Sequence, residues 1–297
     1  MDPYSQRVEK AKQAICDADY ILIGGGSGLS AAAGLAYAGK RFTDNFADFI
    51  EKYGLQDMYS ASFYPFKTQE ELWAHWVRHI DVNRFSQGPT PLYQRLLQLV
   101  RNREYFVITT NVESQFEKAG FPGEKIFEVQ GNYAYLQCAK ACHGQLYYNE
   151  PLIKRMLRET RNCRIPSALV PVCPVCGGRM DVNLRHNEYF VQDGLWHRCN
   201  ERYETFLKKT KDSSIVFLEL GVGFNTPGII RFPFERMTCR NPHATLIRMN
   251  RDYSAGEKNN LQRTISFDED MFQTVTELME DNRARYTEFP ERLCNTQ

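Results

Sequence analysis

YILIGGGSGLSAAAG, residues 20–34, is the stretch on which the fold turns. An apolar run enters glycines at 24, 25, 26 and 28 and leaves through small, helix-forming residues. Gly26-Ser27-Gly28-Leu29-Ser30-Ala31 satisfies G-x-G-x-x-[GA]. Missing side chains there let backbone N–H groups approach a pyrophosphate at a helix N-terminus. An ordinary nicotinamide dehydrogenase would end its second strand in Asp or Glu about 20 residues later. The residue in that range, Asp44, lies inside TDNFADFIEKYG, which reads as a helix. A standard dehydrogenase is therefore disfavoured, and the loop predicts a dinucleotide held in some other manner.

Working outward, short apolar runs recur at 19–23, 104–108, 125–129, 214–220 and 244–249. Each is continuously apolar, as in strands buried on both faces of a parallel sheet. TQEELWAHWVRHI (68–80) opens with a Thr68/Glu71 capping-box pattern, and TPLYQRLLQLVRN (90–102) is a second helix. Strands alternating with helices predict a doubly wound, Rossmann-like α/β domain. The five strands run into GGGSG, TTN, QGN, GVGFN and Asn250. In open α/β sheets that carboxyl edge binds ligands. The plainer reading, that strand ends need turn residues, applies to any one of them but less well to all five. Residues 40–88 and 133–212 interrupt the pattern and are expected to form a smaller domain. Residues 1–39, 89–132 and 213–297 would form the nucleotide domain. From residue 271 the chain reads as an amphipathic helix with an ordinary core-packing face.

Composition narrows the function. With 297 residues, 42% hydrophobic, 25% charged and a net charge of +1, the chain has a globular profile and no global attraction for nucleic acid or an anionic membrane. No apolar run reaches the roughly 20 residues of a membrane span. MDPYSQRVEKAKQ lacks a signal-peptide core, and nine cysteines is an odd count, so a reducing, cytoplasmic setting is expected. No stripe predicts oligomerisation, and the expectation is a monomer.

Cys138-x3-Cys142 and Cys173-x2-Cys176 form two knuckles, which suit a tetrahedral structural Zn2+ with no open position. His143, Cys163 and Cys199 are possible substitute ligands.

With glycine loop, TTN, QGN and paired cysteines in this order, the chain resembles the sirtuins, NAD-consuming enzymes with a Rossmann-like domain and a small domain of zinc and helical modules. Ser27, Leu29 and Gly34-Leu35 complete the family's glycine loop; Thr109-Thr110-Asn111-Val112-Glu113 is similar to its T-Q-N-I-D run. Glu128-Val129-Gln130-Gly131-Asn132 matches its E-x-H-G-S run, and Gly221-Val222-Gly223 with Asn250 its adenosine-side motifs. The resemblance implies an NAD-binding set of Gly26, Ser27, Gly28, Ser30, Gly34, Thr110, Asn111, Glu113, Gln130, Gly221, Gly223, Asn225 and Asn250. Within it, Gly26, Gly28 and Ser30 would contact the diphosphate, Glu113 the nicotinamide pocket, and Gly221, Gly223 and Asn250 the adenosine end.

The departures carry equal weight. The family's P-D-F-R is replaced by AYAGKRF (36–42), and its F-G-E has no clear counterpart in RHNEYFVQDG (185–194). Gln130 stands where the family has its catalytic histidine. A carboxamide has no proton to exchange near neutral pH, so the base-dependent step of deacylation loses its base, whereas orientation of the ribose does not need one. This combination resembles the class M sirtuins, protein ADP-ribosyltransferases associated with oxidative stress, a macrodomain protein and a lipoylated glycine-cleavage H-like carrier protein. Asn111 and Gln130 are then the expected catalytic residues. Two rivals remain: a lysine deacylase drawing its base from His186 or His197, and a non-catalytic NAD or ADP-ribose sensor.

Overall fold

Nine strands carry the architecture of the computed structural model, which describes residues 2–280. They are Tyr20–Gly25 (β1), Glu104–Thr109 (β2), Ile126–Glu128 (β3), Gly131–Cys138 (β4), Tyr147–Tyr148 (β5), Met180–Leu184 (β6), Ile215–Leu220 (β7), Ala244–Met249 (β8) and Thr264–Phe267 (β9). Six of them form a parallel sheet in the order β3-β2-β1-β7-β8-β9. The chain runs from β1 out to one edge, returns beside β1 as β7, and runs out to the other edge. Connections leaving β1 and β7 therefore diverge, and the carboxyl ends of these strands are where open α/β sheets bind ligands.

The apolar runs become strands because both faces of this sheet are covered. Ile21 and Ile23 pack with helices Tyr4–Asp17, Pro91–Val100 and Met271–Glu280. Leu22, between them, faces the opposite side, with Phe206, Phe217 and Phe234. Alternate residues thus enter two different cores, which is why the sequence shows no polar alternation. Of the expected C-terminal helix, Met271–Glu280 is observed, with Met271, Val275 and Leu278 buried; the remainder lies outside the described residues.

A second core unites the two interruptions. Phe42, Phe46 and Phe49 of helix Lys40–Tyr53 and Trp73 of helix Gln69–Ile80 share it with Leu136 and Val182 of the antiparallel sheet β5-β4-β6. Thr68 caps the second helix, its Oγ1 accepting the Glu71 N–H at 3.3 Å. One segment departs from the expected division at 212. Helix Gly194–Thr210 packs its Tyr203 and Phe206 on Phe106 and Phe127, and so belongs with the parallel sheet. Its stripe of Trp196, Tyr203 and Phe206 has helical spacing, which sets the period but not the surface the helix meets. Among the described residues no helix is long and apolar enough to cross a membrane.

Candidate active site

The glycine loop and the turn after β7 meet backbone to backbone at this edge. The Gly26 amide donates to the Leu220 carbonyl at 3.0 Å, and the Gly28 amide to the Gly221 carbonyl at 2.9 Å. A Cβ on Gly28 would lie 2.8 Å from Gly221 Cα, and Gly221 itself sits at φ +61° with its missing side chain facing Leu29 N. No L side chain fits on either wall. The loop then turns into helix Ser27–Ala32, whose first residue is exposed and whose far end leads to Gly34.

From β2, Thr109 Oγ1 donates to the Gly25 carbonyl and accepts the Asn111 N–H, both at 3.0 Å. Thr110 is half-buried, its amide 3.0 Å from the same Gly25 carbonyl. These bonds hold Asn111 so that only 7% of it is exposed. Its Nδ2 donates to the Gly26 carbonyl at 2.9 Å and to Tyr93 Oη at 3.1 Å. With both amide protons engaged, Oδ1 is the atom left to accept a bond from a ligand hydroxyl.

Tyr93, in helix Pro91–Val100, organises the rest. Its hydroxyl lies 3.1 Å from Ser30 Oγ and donates to Glu113 Oε1 at 3.4 Å. Burial, reinforced by the Glu113 charge, pushes the phenol well above its ordinary pKa, so it remains protonated. Ser30 Oγ donates to Glu113 Oε1 at 2.5 Å. The hydroxyl of Ser30, a residue expected at the diphosphate, is thus engaged by Glu113. Sequence reading missed Tyr93 because it lies on an amphipathic helix and passes for a core aromatic. Gln115, which accepts the Thr90 N–H at 3.0 Å and donates to the Gly88 carbonyl at 3.0 Å, fixes the start of that helix.

Gln130 follows β3 in a turn. Its carbonyl accepts the Arg185 N–H at 2.9 Å, its side chain is half-buried, and among the described residues its carboxamide has no hydrogen-bonding partner. Gly131 comes next at φ +96°, where a Cβ would collide with the Asn183 carbonyl; the turn therefore needs glycine. Two residues before Gln130, Glu128 is pushed up to about 7 by burial, against the opposing bonds from Ser114 and Asn132. Asn132 Nδ2 reaches Glu128 Oε2 at 2.7 Å and Ser114 Oγ at 2.8 Å. Neither rival base joins the Asn111–Tyr93–Glu113 network: His186 pairs with Asp181 at 3.1 Å, and His197 is exposed beside Trp196.

On the other wall, Gly223 is half-buried and Asn225 exposed, on the loop after β7. Asn250, expected as an adenosine contact, spends its carboxamide on backbone. Nδ2 donates to the Val222 carbonyl at 2.9 Å, and Oδ1 accepts the Asp252 and Tyr253 amides at 3.1 and 3.0 Å. It ties the loops after β7 and β8 together.

Cys138, Cys142, Cys173 and Cys176 bring their Sγ atoms within 4.8 Å of one another. The Cys138–Cys176 and Cys142–Cys173 separations are 3.8 and 3.7 Å. Four thiolates about 2.3 Å from a tetrahedral zinc would be separated by about 3.8 Å, so the cluster fits Zn2+ with its coordination closed. His143 Nε2 lies 3.3 Å from Cys173 Sγ, a hydrogen bond outside the set. Cys163 is buried in the small-domain core and Cys199 lies on helix Gly194–Thr210; neither is a member.

The fold is that of the sirtuins. A Sir2 homologue in complex with ADP-ribose matches with a TM-score of 0.61 at 14% identity, over 98% of this chain and all of that one. Sir2Tm bound to a propionylated peptide matches with a TM-score of 0.58 at 16% identity, over 93% and 98%. At such identities the likeness is one of fold. No protein-family model matches the chain. Sequence relatives are nearer: a protein ADP-ribosyltransferase of Staphylococcus aureus is 38% identical over 93% of this chain and 88% of its own length. A probable bifunctional ADP-ribose hydrolase/ADP-ribosyltransferase of Fusarium oxysporum is 33% identical over 78% of this chain and 40% of its own, longer sequence. The chain belongs to this sirtuin-fold family of protein ADP-ribosyltransferases.

Proposed function

We propose that this protein transfers ADP-ribose from NAD to a protein side chain, as a class M sirtuin. What carries the reading is Gln130, a half-buried carboxamide at the turn matching the position of the sirtuin histidine, on the same carboxyl edge of the sheet as the doubly anchored Asn111. NAD fits this edge by its chemistry: Asn111 Oδ1 is left to accept a ribose hydroxyl, and the glycine loop, packed against the turn after β7, presents the start of helix Ser27–Ala32 to a diphosphate. Gln130 supplies a second acceptor and two donors to the same sugar. Both hold C1′ in line for attack. The C1′–nicotinamide bond breaks with its electron pair going to nicotinamide, and the acceptor side chain bonds to C1′, any proton it carried leaving to solvent. Nothing in those two events asks a proton of residue 130. Deacylation differs, since it needs a ribose hydroxyl deprotonated, a step for which a general base is typically worth 10²–10⁴-fold. Zinc at the four cysteines would brace β4 against β6 and supply no reacting ligand.

The acceptor we infer is a lipoylated carrier protein. A macrodomain-type ADP-ribosyl hydrolase as counterpart is supported by the paired activities in the name of the Fusarium relative. The test is intact mass spectrometry of a lipoylated carrier incubated with the enzyme and NAD, beside an acetyl-lysine peptide. A mass gain of one ADP-ribose on the carrier, with stoichiometric nicotinamide, is expected. O-acyl-ADP-ribose from the peptide with an unmodified carrier would establish a deacylase instead, and binding of ADP-ribose without nicotinamide release would establish a sensor.

A further inference from the structure

Strand β7 contains a charge that no parallel strand needs. Glu219 is fully buried in the middle of the sheet, among Phe217, Leu218 and Leu220. Arg248, opposite it on β8 and also fully buried, grips it with a fork, Nε to Oε1 at 2.7 Å and Nη2 to Oε2 at 2.9 Å. Glu235 Oε1 accepts from Arg248 Nη1 at 2.7 Å, and Arg231 Nη1 adds a contact to Glu219 Oε1 at 3.3 Å. Two carboxylates and two guanidiniums thus neutralise one another out of water. Such a cluster gains little over apolar packing, so its retention calls for a reason other than stability.

The reason lies in the donors the fork leaves over. Arg248 Nη1 also reaches the Ala255 carbonyl at 2.7 Å; Arg231 Nη2 reaches the Tyr253 carbonyl at 3.0 Å, and its Nη1 the Val222 carbonyl at 3.4 Å. Glu235 Oε1 accepts the Glu257 amide at 3.2 Å. Every one of these backbone groups lies in the loops after β7 and β8, which have few regular hydrogen bonds of their own. Those loops present one aromatic ring each. Phe224 and Tyr253 are both 51% exposed and meet edge to face at 5.0 Å, with the Arg231 guanidinium 4.5 Å over the Phe224 ring. A ring pair half in water, tied down by a buried arginine, is costly to display unless a flat apolar partner covers it.

We propose that the Glu219–Arg248–Glu235–Arg231 cluster is a positioning device for the dinucleotide, holding the Phe224–Tyr253 pair where the purine base of NAD packs against it. The inference rests on NAD lying along this carboxyl edge. The rings touch the base, and the four charged residues act only through the loops. Binding at the purine end fixes affinity, whereas the reacting sugar is held by Asn111 on the far wall.

Tyr253→Ala and Phe224→Ala remove exposed rings, so neither threatens the fold. Each should raise KM for NAD and the Kd for ADP-ribose roughly ten- to hundredfold, as loss of a base-stacking ring does, with kcat within twofold. Tyr253→Phe should restore wild-type values. The double variant Glu219→Leu/Arg248→Met removes one charge of each sign and the tie to Ala255; it should melt below wild type, because Arg231 and Glu235 lose their buried partners, and should show the same KM defect with kcat within twofold. Wild-type protein that binds neither NAD nor ADP-ribose by calorimetry would defeat the functional reading. Wild-type binding retained undiminished in both ring variants would defeat this inference alone. A ring variant that binds NAD normally but no longer modifies the carrier would assign the pair to protein docking and likewise overturn it.

Discussion

Replacing Tyr93 by phenylalanine removes one oxygen atom from the centre of the site and leaves the packing intact, because the ring stacks edge-on against Phe116 at 4.8 Å. That oxygen faces Ser30, Asn111 and Glu113. None of the three is orphaned by its loss: Asn111 Nδ2 keeps the Gly26 carbonyl, and Ser30 keeps Glu113. The stability cost is therefore that of one or two satisfied buried bonds, about 1–2 kcal/mol. The functional cost comes from Asn111, which loses one of two anchors and with it the fixed direction of Oδ1. Relaxing that aim by about 1–2 kcal/mol in the transition state lowers kcat about 5- to 30-fold. KM for NAD should change less than twofold, since the rest of the site is untouched. Nicotinamide release under saturating NAD reads kcat, and urea denaturation of the same sample reads the stability term. A variant that loses stability but turns over at the wild-type rate would show that Tyr93 only packs, and that Asn111 needs no second anchor.

Asn111→Ala should go further, abolishing modification while calorimetry still registers ADP-ribose and the zinc content stays unchanged; undiminished transfer would remove Asn111 from the chemistry. His75 is fully buried against Phe46, Phe49 and Phe66 with both ring nitrogens unpartnered, and burial holds its pKa down to about 3. The unfolded chain takes up that proton near pH 6.5, so stability is intact above 6.5 and declines as pH falls towards 3, by about 2 kcal/mol at pH 5. His75→Phe should abolish this part of the acid sensitivity and raise stability at pH 8; denaturation curves at both pH values that shift in parallel for the two proteins would contradict it. Chelation of zinc, or Cys173→Ser, should unfold β4–β6 and lower activity with no effect on the pH profile of whatever activity remains, as followed by zinc analysis and circular dichroism; an altered pH profile would point to a metal that takes part in the reaction.

Residue order alone determined a good deal. Five apolar runs, each ending in glycine or a small polar residue, specified a parallel sheet and the edge on which the candidate site residues gather, because strand burial and turn chemistry are local properties. Cysteine spacing gave the knuckles for the same reason: a chelating loop closes over a few residues. Identity at position 130 was visible as well, and with it the loss of an exchangeable proton.

Tertiary structure alone decided who touches whom. Ser30 and Glu113 are 83 residues apart and Ser30 and Tyr93 are 63, yet the crossover helix brings all three to one hydrogen-bonded knot. The same holds for Glu219 and Arg248, which are 29 residues apart and are neutralised only by parallel pairing of β7 with β8. The aromatic stripe of helix Gly194–Thr210 shows its period but does not say which surface it meets, and packing sets it on the parallel sheet. Local pattern fixes the period and the turn. Choice of partner depends on how sheet, crossover and insertion pack in space, and that information is spread over the whole chain.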